Sequence, residues 1–287
     1  MINPKLMLAF VAMVLSFQIS LAQEKEKQIA QLMDEVNKHL EKRDCESAIV
    51  ALDKILTYDG DHFKTLLIKG TCLQNLNKYQ EASDLFHQLL LKDSSNFEIY
   101  QHLVTCYSGL HMHDKGIEYS RIGLAYASTN KEKEFMLWGI GTLHMEKMDY
   151  DSAKFYYDKV LEINPRNRVV ILNNSYILIE LEKYKLAEKL ILKVIEDDDI
   201  PNTYNDFSNL GYVYVKLGEY KKAKKYLDIS KKMNPENNWI YRNYGILYKA
   251  LGKKSKACKY YQKALDMGFV SHWGERYIKE LADYCNQ

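Results

Sequence analysis

Apolar residues along this chain recur at the three- and four-residue spacing of amphipathic helices, not at the alternation of strands. A clear stretch reads Phe207, Leu210, Tyr214, Leu217; Gly218-Glu219 then breaks it, and a second helical stretch runs from Tyr220 to Met233. The same sequence of helix, short break and helix returns along nearly the whole chain. That predicts an all-α fold of helix hairpins.

The hairpins keep a register. Small residues stand at Ala48, Ala82, Gly116, Ala153, Ala187, Ala223 and Ala257, at spacings of 34, 34, 37, 34, 36 and 34 residues. Twelve residues before four of them lie Gly70, Gly141, Gly211 and Gly245, and four residues after lie bulky side chains such as Phe86, Tyr157, Ile191, Leu227 and Tyr261. Small residues on both helices let the pair approach closely, and the bulky residue fills the space beside the contact. One hairpin cannot cover both of its apolar faces, so neighbouring hairpins are expected to stack.

The segment from Phe207 to Tyr214, with Ala223, Leu227 and Pro235, resembles the signature of tetratricopeptide repeats, as does Tyr241 to Tyr248 with Ala257, Tyr261 and Ala264. This resemblance implies a right-handed superhelical solenoid of antiparallel hairpins, with repeats at 29–62, 63–96, 97–130, 134–167, 168–201, 204–237 and 238–271, hence a solenoid over 23–271. The first repeat departs from the pattern with Val36 at the Gly position. The third departs with Val104 there and Ser120 at the bulky position. Residues 272–287, Glu275 to Cys285 especially, are expected to form a final capping helix, which terminal repeats need for solubility.

The N-terminus differs in kind. Lys5 precedes an apolar run from Leu6 to Ile19, then Ser20-Leu21-Ala22 gives the small-x-small pattern of a signal-peptidase site, followed by Glu24-Lys25-Glu26-Lys27. Residues 1–22 are therefore expected to be a signal peptide, with an uncleaved anchor as the alternative. The mature chain is expected to lack a transmembrane span, because no later run is long and apolar enough. Export into a bacterial periplasm, or secretion, is the expected location.

Composition adds limits. The 287 residues are 47% hydrophobic, with 13 Gly and 4 Pro, which suits a large helical core. Twenty-three Tyr outnumber nine Phe, and Tyr suits half-buried helix faces. A net charge of +2 argues against wholesale nucleic-acid binding. The five cysteines include no CxxC motif. Cys258 and Cys285 stand where a helix and the capping helix would run side by side, so they form either a disulfide or two separate thiols.

Chemistry is sparse. The chain has no HExxH, GxSxG, P-loop or GxGxxG motif. His111 and His113 lack a third ligand nearby in sequence, and Asp197-Asp198-Asp199 reads as a solvated loop. No enzyme activity, metal or cofactor is expected.

The expected role is that of a scaffold that holds a protein or peptide. The resemblance implies a concave groove lined by first helices. There the chain carries a row of amides, Asn173, Asn209 and Asn243, each able to donate to and accept from a peptide backbone. Trp138, Tyr176, Tyr212, Trp239 and Arg242 stand at neighbouring groove positions, with Phe135 and Leu172 as further apolar neighbours, and Trp, Tyr and Arg dominate interface energetics. The alternative is an accessory or assembly subunit of an envelope complex that docks through its basic C-terminal convex face. Residues 204–271 hold 14 Lys and Arg against 5 Asp and Glu, whereas residues 24–62 hold 6 against 10. An acidic partner for 204–271 would fit that asymmetry.

Overall fold

The computed structural model describes residues 4–197, 201–275 and 278–286. They are helical throughout, without a strand among the described residues. The chain divides into two compact units, Met1–Lys147 and Met148–Gln287.

The first unit holds α1 (Pro4–Glu41), α2 (Cys45–Tyr58), α3 (Phe63–Asn75), α4 (Tyr79–Lys92), α5 (Phe97–Gly109), α6 (His113–Tyr126) and α7 (Asn130–Glu146). The second holds α8 (Tyr150–Ile163), α9 (Arg168–Glu180), α10 (Tyr184–Ile195), α11 (Tyr204–Lys216), α12 (Tyr220–Met233), α13 (Asn238–Ala250), α14 (Lys254–Asp266), α15 (Phe269–Trp273) and α16 (Lys279–Asn286). Within each unit successive helices pair as hairpins and the hairpins stack, as in a tetratricopeptide-like solenoid.

Local chemistry sets the helix boundaries. The side chains of Asp44, Asn96, Asp149, Asn167 and Asn237 accept from backbone amides of the turns they cap, and Thr129 closes a capping box with Glu132. Between the two helices of a hairpin the chain turns through one left-handed residue. Gly218 and Gly252 take it without steric cost, while Asn77, His111 and Glu182 adopt it despite a Cβ.

The small-residue period is a packing rule. Ala48, Ala82, Ala153, Ala187, Ala223 and Ala257 are fully buried. A Cβ added at Gly70 would stand 2.7 Å from the Phe86 ring, and one at Gly211 would stand 2.7 Å from Leu227. The irregular third repeat reverses the arrangement. Ser120 is buried and turns its hydroxyl onto the Gly116 carbonyl, buried Val104 carries the bulk at the Gly position, and Leu143 of α7 would lie 2.8 Å from a Cβ at Gly116.

At the N-terminus α1 runs unbroken from Pro4 to Glu41, through the segment expected to be a signal peptide and into the first repeat. Its C-terminal part packs through Ile29, Leu32, Met33 and Val36 against α2, while Ile19 and Leu21 are exposed. No helix of the described residues is long and apolar enough to cross a membrane. The C-terminal cap is not one helix starting near Glu275. Gly268 (φ 72°) ends α14, Gly274 (φ 82°) ends α15, and α16 starts only at Lys279, because both left-handed glycines break the helical path.

Candidate functional site

The predicted groove residues of the second unit sit on α9, α11 and α13, but their three amides have different fates. Asn243 is fully buried: its Nδ2 donates to the Ser208 carbonyl (3.3 Å) and to Ser208 Oγ (3.0 Å), and its Oδ1 accepts from Arg242 Nη1 (2.9 Å). The expectation that Asn243 offers a free amide to a peptide is therefore corrected. It is a tie between α13 and α11, because a buried amide must find its partners inside the protein. Asn173 is half-buried and donates to the Tyr157 hydroxyl at 3.1 Å. Asn209, also half-buried, makes no hydrogen bond with a described residue and keeps its amide available.

Around these amides the aromatic residues form a layer. The Arg242 guanidinium lies 4.6 Å from the Tyr212 ring centre and 5.2 Å from that of Trp239, which itself stacks on Phe269 at 5.1 Å. Arg242 is only 8% exposed, so it acts first as a cation between two rings and only at its edge as a surface charge. The Lys216 ammonium also lies over the Tyr212 ring, 5.5 Å from its centre. Lys216 and Lys249 converge on Glu280 of α16, at 3.7 and 3.0 Å. Burial alone would raise the Glu280 carboxyl, but the Lys249 hydrogen bond and the nearby cations outweigh it and hold the pKa below the ordinary value. Tyr176 is half-buried on α9. Trp138 belongs to the first unit, half-buried against Phe135 at 6.1 Å, and its indole N–H is buried without a hydrogen-bond partner among the described residues.

Cys258 of α14 and Cys285 of α16 are joined by a disulfide, with Cα atoms 5.5 Å apart. Cys45, Cys72 and Cys106 are buried free thiols. His111 and His113 lie 6.0 Å apart at a turn, with no group of three metal-ligating side chains among the described residues. Asp197 pairs with Arg166 (2.5 Å), while Asp198 and Asp199 lie outside the described residues.

A second cluster, of tyrosines, is not among the expected site residues. On the opposite side of α13 from Trp239 and Arg242, Tyr241, Tyr244 and Tyr248 fall at i, i+3 and i+7 and stack with Tyr260 of α14. Tyr248 and Tyr260 stack nearly parallel, with ring centroids 5.4 Å apart at 4°. Tyr241 spends its hydroxyl on the Pro235 carbonyl (2.8 Å), and Tyr244 donates to Asp228. Burial, with Asp228 as acceptor, raises the Tyr244 hydroxyl well above its ordinary pKa. Burial opposes ionisation of Asp228, yet hydrogen bonds from Lys224 and Tyr244 hold its pKa low. The signal was in the sequence, as a tyrosine stripe at helical spacing between lysine pairs.

This architecture has known counterparts. A family model for the tetratricopeptide repeat matches residues 136–167, 207–237 and 240–267. These segments are tetratricopeptide repeats. A tetratricopeptide repeat protein from Parabacteroides merdae is 20% identical, with a TM-score of 0.72 over 91% of this chain and 100% of that one. A chain of the APC/C hetero-tetramer Cut9-Hcn1 is 14% identical, with a TM-score of 0.64 over 86% of this chain and 48% of that one. The C-terminal part of a repeat protein from Cytophaga hutchinsonii is 20% identical, with a TM-score of 0.56 over 75% and 83%. At these identities the likeness is one of fold. Stacked repeats of this kind present extended surfaces suited to binding other proteins.

Proposed function

We propose that this chain is an exported, non-enzymatic scaffold that holds a protein or peptide on the first-helix face of its C-terminal repeats. The observation that carries the reading is the open Asn209 amide beside the layered Tyr212, Arg242 and Trp239 side chains. An amide with both donor and acceptor in reach, next to ring edges that a partner can cover, suits recognition of a polypeptide main chain. Export is supported by the apolar run from Leu6 to Ile19 and by the Cys258–Cys285 bridge, since disulfides persist in oxidising compartments. The Cut9-Hcn1 assembly, whose likeness is of fold, gives a precedent for this architecture within a protein complex.

The test places a photo-crosslinking amino acid at exposed Asn205 of α11, one turn before Asn209, in the producing cells and, as a control, at exposed Leu186 of α10. A discrete adduct at Asn205 that Asn209→Ala or Tyr212→Ala abolishes supports the reading. Adducts at Leu186 alone would overturn it. Fractionation of the same cells, with N-terminal sequencing of the product, tests export.

A further inference from the structure

The second-helix side of the last two repeats carries a groove of its own. Helices α12 and α14 each pack on α13, and the space between them is floored by the tyrosine stack. One stretch, from Lys231 past Tyr241 and Tyr260 to Met267, encloses about 860 Å³, and a second, between Tyr220 and Leu251, about 540 Å³. Tyr248 lines both stretches. Volumes of this size fall in the range of ligand sites.

Its charge is one-sided. Lys221, Lys224, Lys225 and Lys231 line it from α12, and Lys256, Lys259 and Lys263 from α14. Two carboxylates share the lining, Asp228 and Asp266. Asp228 is bound by Lys224 and the Tyr244 hydroxyl, and Asp266 accepts from Gln262. Among the described residues, none of the other six lysines has a carboxylate within ion-pair distance.

The rings decide which anion fits. Single-stranded nucleic acid would need open ring faces on which bases stack. Here the faces are taken. Tyr260 lies against Tyr244 and Tyr248, the Lys263 ammonium caps Tyr241 at 4.1 Å, and the Lys256 ammonium stands over Tyr248 at 5.5 Å. What remains toward the groove is ring edges, the Tyr248 and Tyr260 hydroxyls, and ammonium groups. Those are donors spaced along a trough, matched by carboxylates spaced along an extended chain.

We propose that the groove between α12 and α14 is a docking site for an extended acidic segment of a partner protein, with Lys231, Lys256, Lys259 and Lys263 pairing its carboxylates over the Tyr241–Tyr244–Tyr248–Tyr260 stack. The site is separate from the face that holds Asn209 and Tyr212, so either can fail without the other.

The test is fluorescence anisotropy with the full-length oxidised protein and a labelled twelve-residue peptide made of three Glu-Glu-Gly-Phe units. Binding is expected to weaken more than tenfold between 50 and 300 mM salt, since it depends on charge. Lys256→Glu with Lys263→Glu is expected to cost more than tenfold, while Lys185→Glu with Lys189→Glu on α10, an equal charge change, leaves affinity within twofold. Tyr248→Phe with Tyr260→Phe, which keeps the rings and removes both hydroxyls, is expected to weaken binding three- to tenfold with unchanged helicity by circular dichroism. No binding, equal loss in the α10 control, or tighter binding of a twelve-nucleotide oligo-thymidine or of anionic vesicles than of the peptide would each overturn the proposal.

Discussion

Leu281 of α16 fills the space left by the missing side chain of Gly245 on α13, where a Cβ would stand 2.6 Å from Leu281 Cδ1. In the preceding repeat the equivalent Gly211 is filled by Leu227 of its own second helix. At the end of the chain the cap takes over that place, and Tyr261, at the bulky position of the last hairpin, stays half-buried. Leu281→Ala is expected to cost about 2–5 kcal/mol, as for other buried leucines. Gly245→Ala should also destabilise, and the double variant should lose less than the sum, because the added methyl occupies space the leucine vacated. Urea unfolding of the three variants reads this directly, and strict additivity would disprove the contact.

The Cys258–Cys285 bridge spans 27 residues and ties α16 to α14. Closing a loop of that size stabilises by about 3 kcal/mol. Reduction should therefore release the cap, seen as faster hydrogen exchange in residues 279–286 while α11 keeps its protection. Of the five cysteines, three should alkylate after unfolding without reductant and all five with it. In the folded protein Cys72 and Cys106 should resist alkylation at pH 8.5, since burial pushes their thiols up to about 12 and about 11.

Asn243 and Asn209 occupy equivalent positions of successive repeats, yet their substitution should have opposite consequences. Asn243→Ala strips buried partners from Arg242 and Ser208 and is expected to cost about 1–3 kcal/mol of stability. Asn209→Ala is expected to stay within about 0.5 kcal/mol and to show its effect only in partner crosslinking. Thermal unfolding of the two variants side by side makes the comparison.

His102 gives the first unit a dependence on pH. Its ring stacks on Phe86 at 4.6 Å and bonds to Gln74 Oε1 at 2.7 Å, and burial lowers its pKa below 6.5, against the opposing pull of Glu98. A depressed histidine contributes stability that is full above the unfolded value near 6.5 and is lost as pH falls through the lower folded value. While only the unfolded chain takes up the proton, the slope approaches about 1.4 kcal/mol per pH unit. Lowering pH from 7.5 to 5.5 should reduce the melting temperature of the wild type more than that of His102→Asn. Equal shifts would remove His102 as the cause.

Much of the fold was legible because it depends on local rules. The Ala period, the glycines opposite Phe86 and Leu227, and the Asn and Asp caps each act within one hairpin, so the order of residues is enough to place them. Irregular positions were legible as departures but not as solutions: Val104 and Ser120 broke the pattern, and only the structure shows both lying beside Gly139 of the next helix. The continuity of α1 through residue 22 belongs to the structure alone, because a processing signal and a helix can share one apolar run.

The candidate sites divide along the same line. By itself the sequence determined the hairpin repeat, its register and the residue types on each face, because helical periodicity places a side chain relative to its own helix. Tertiary structure decided what those side chains are free to do, because burial and partnership depend on the neighbouring helices. Asn209 and Asn243 share a repeat position, but only Asn243 meets a serine across the hairpin boundary, and that contact turns a candidate recognition amide into part of the core.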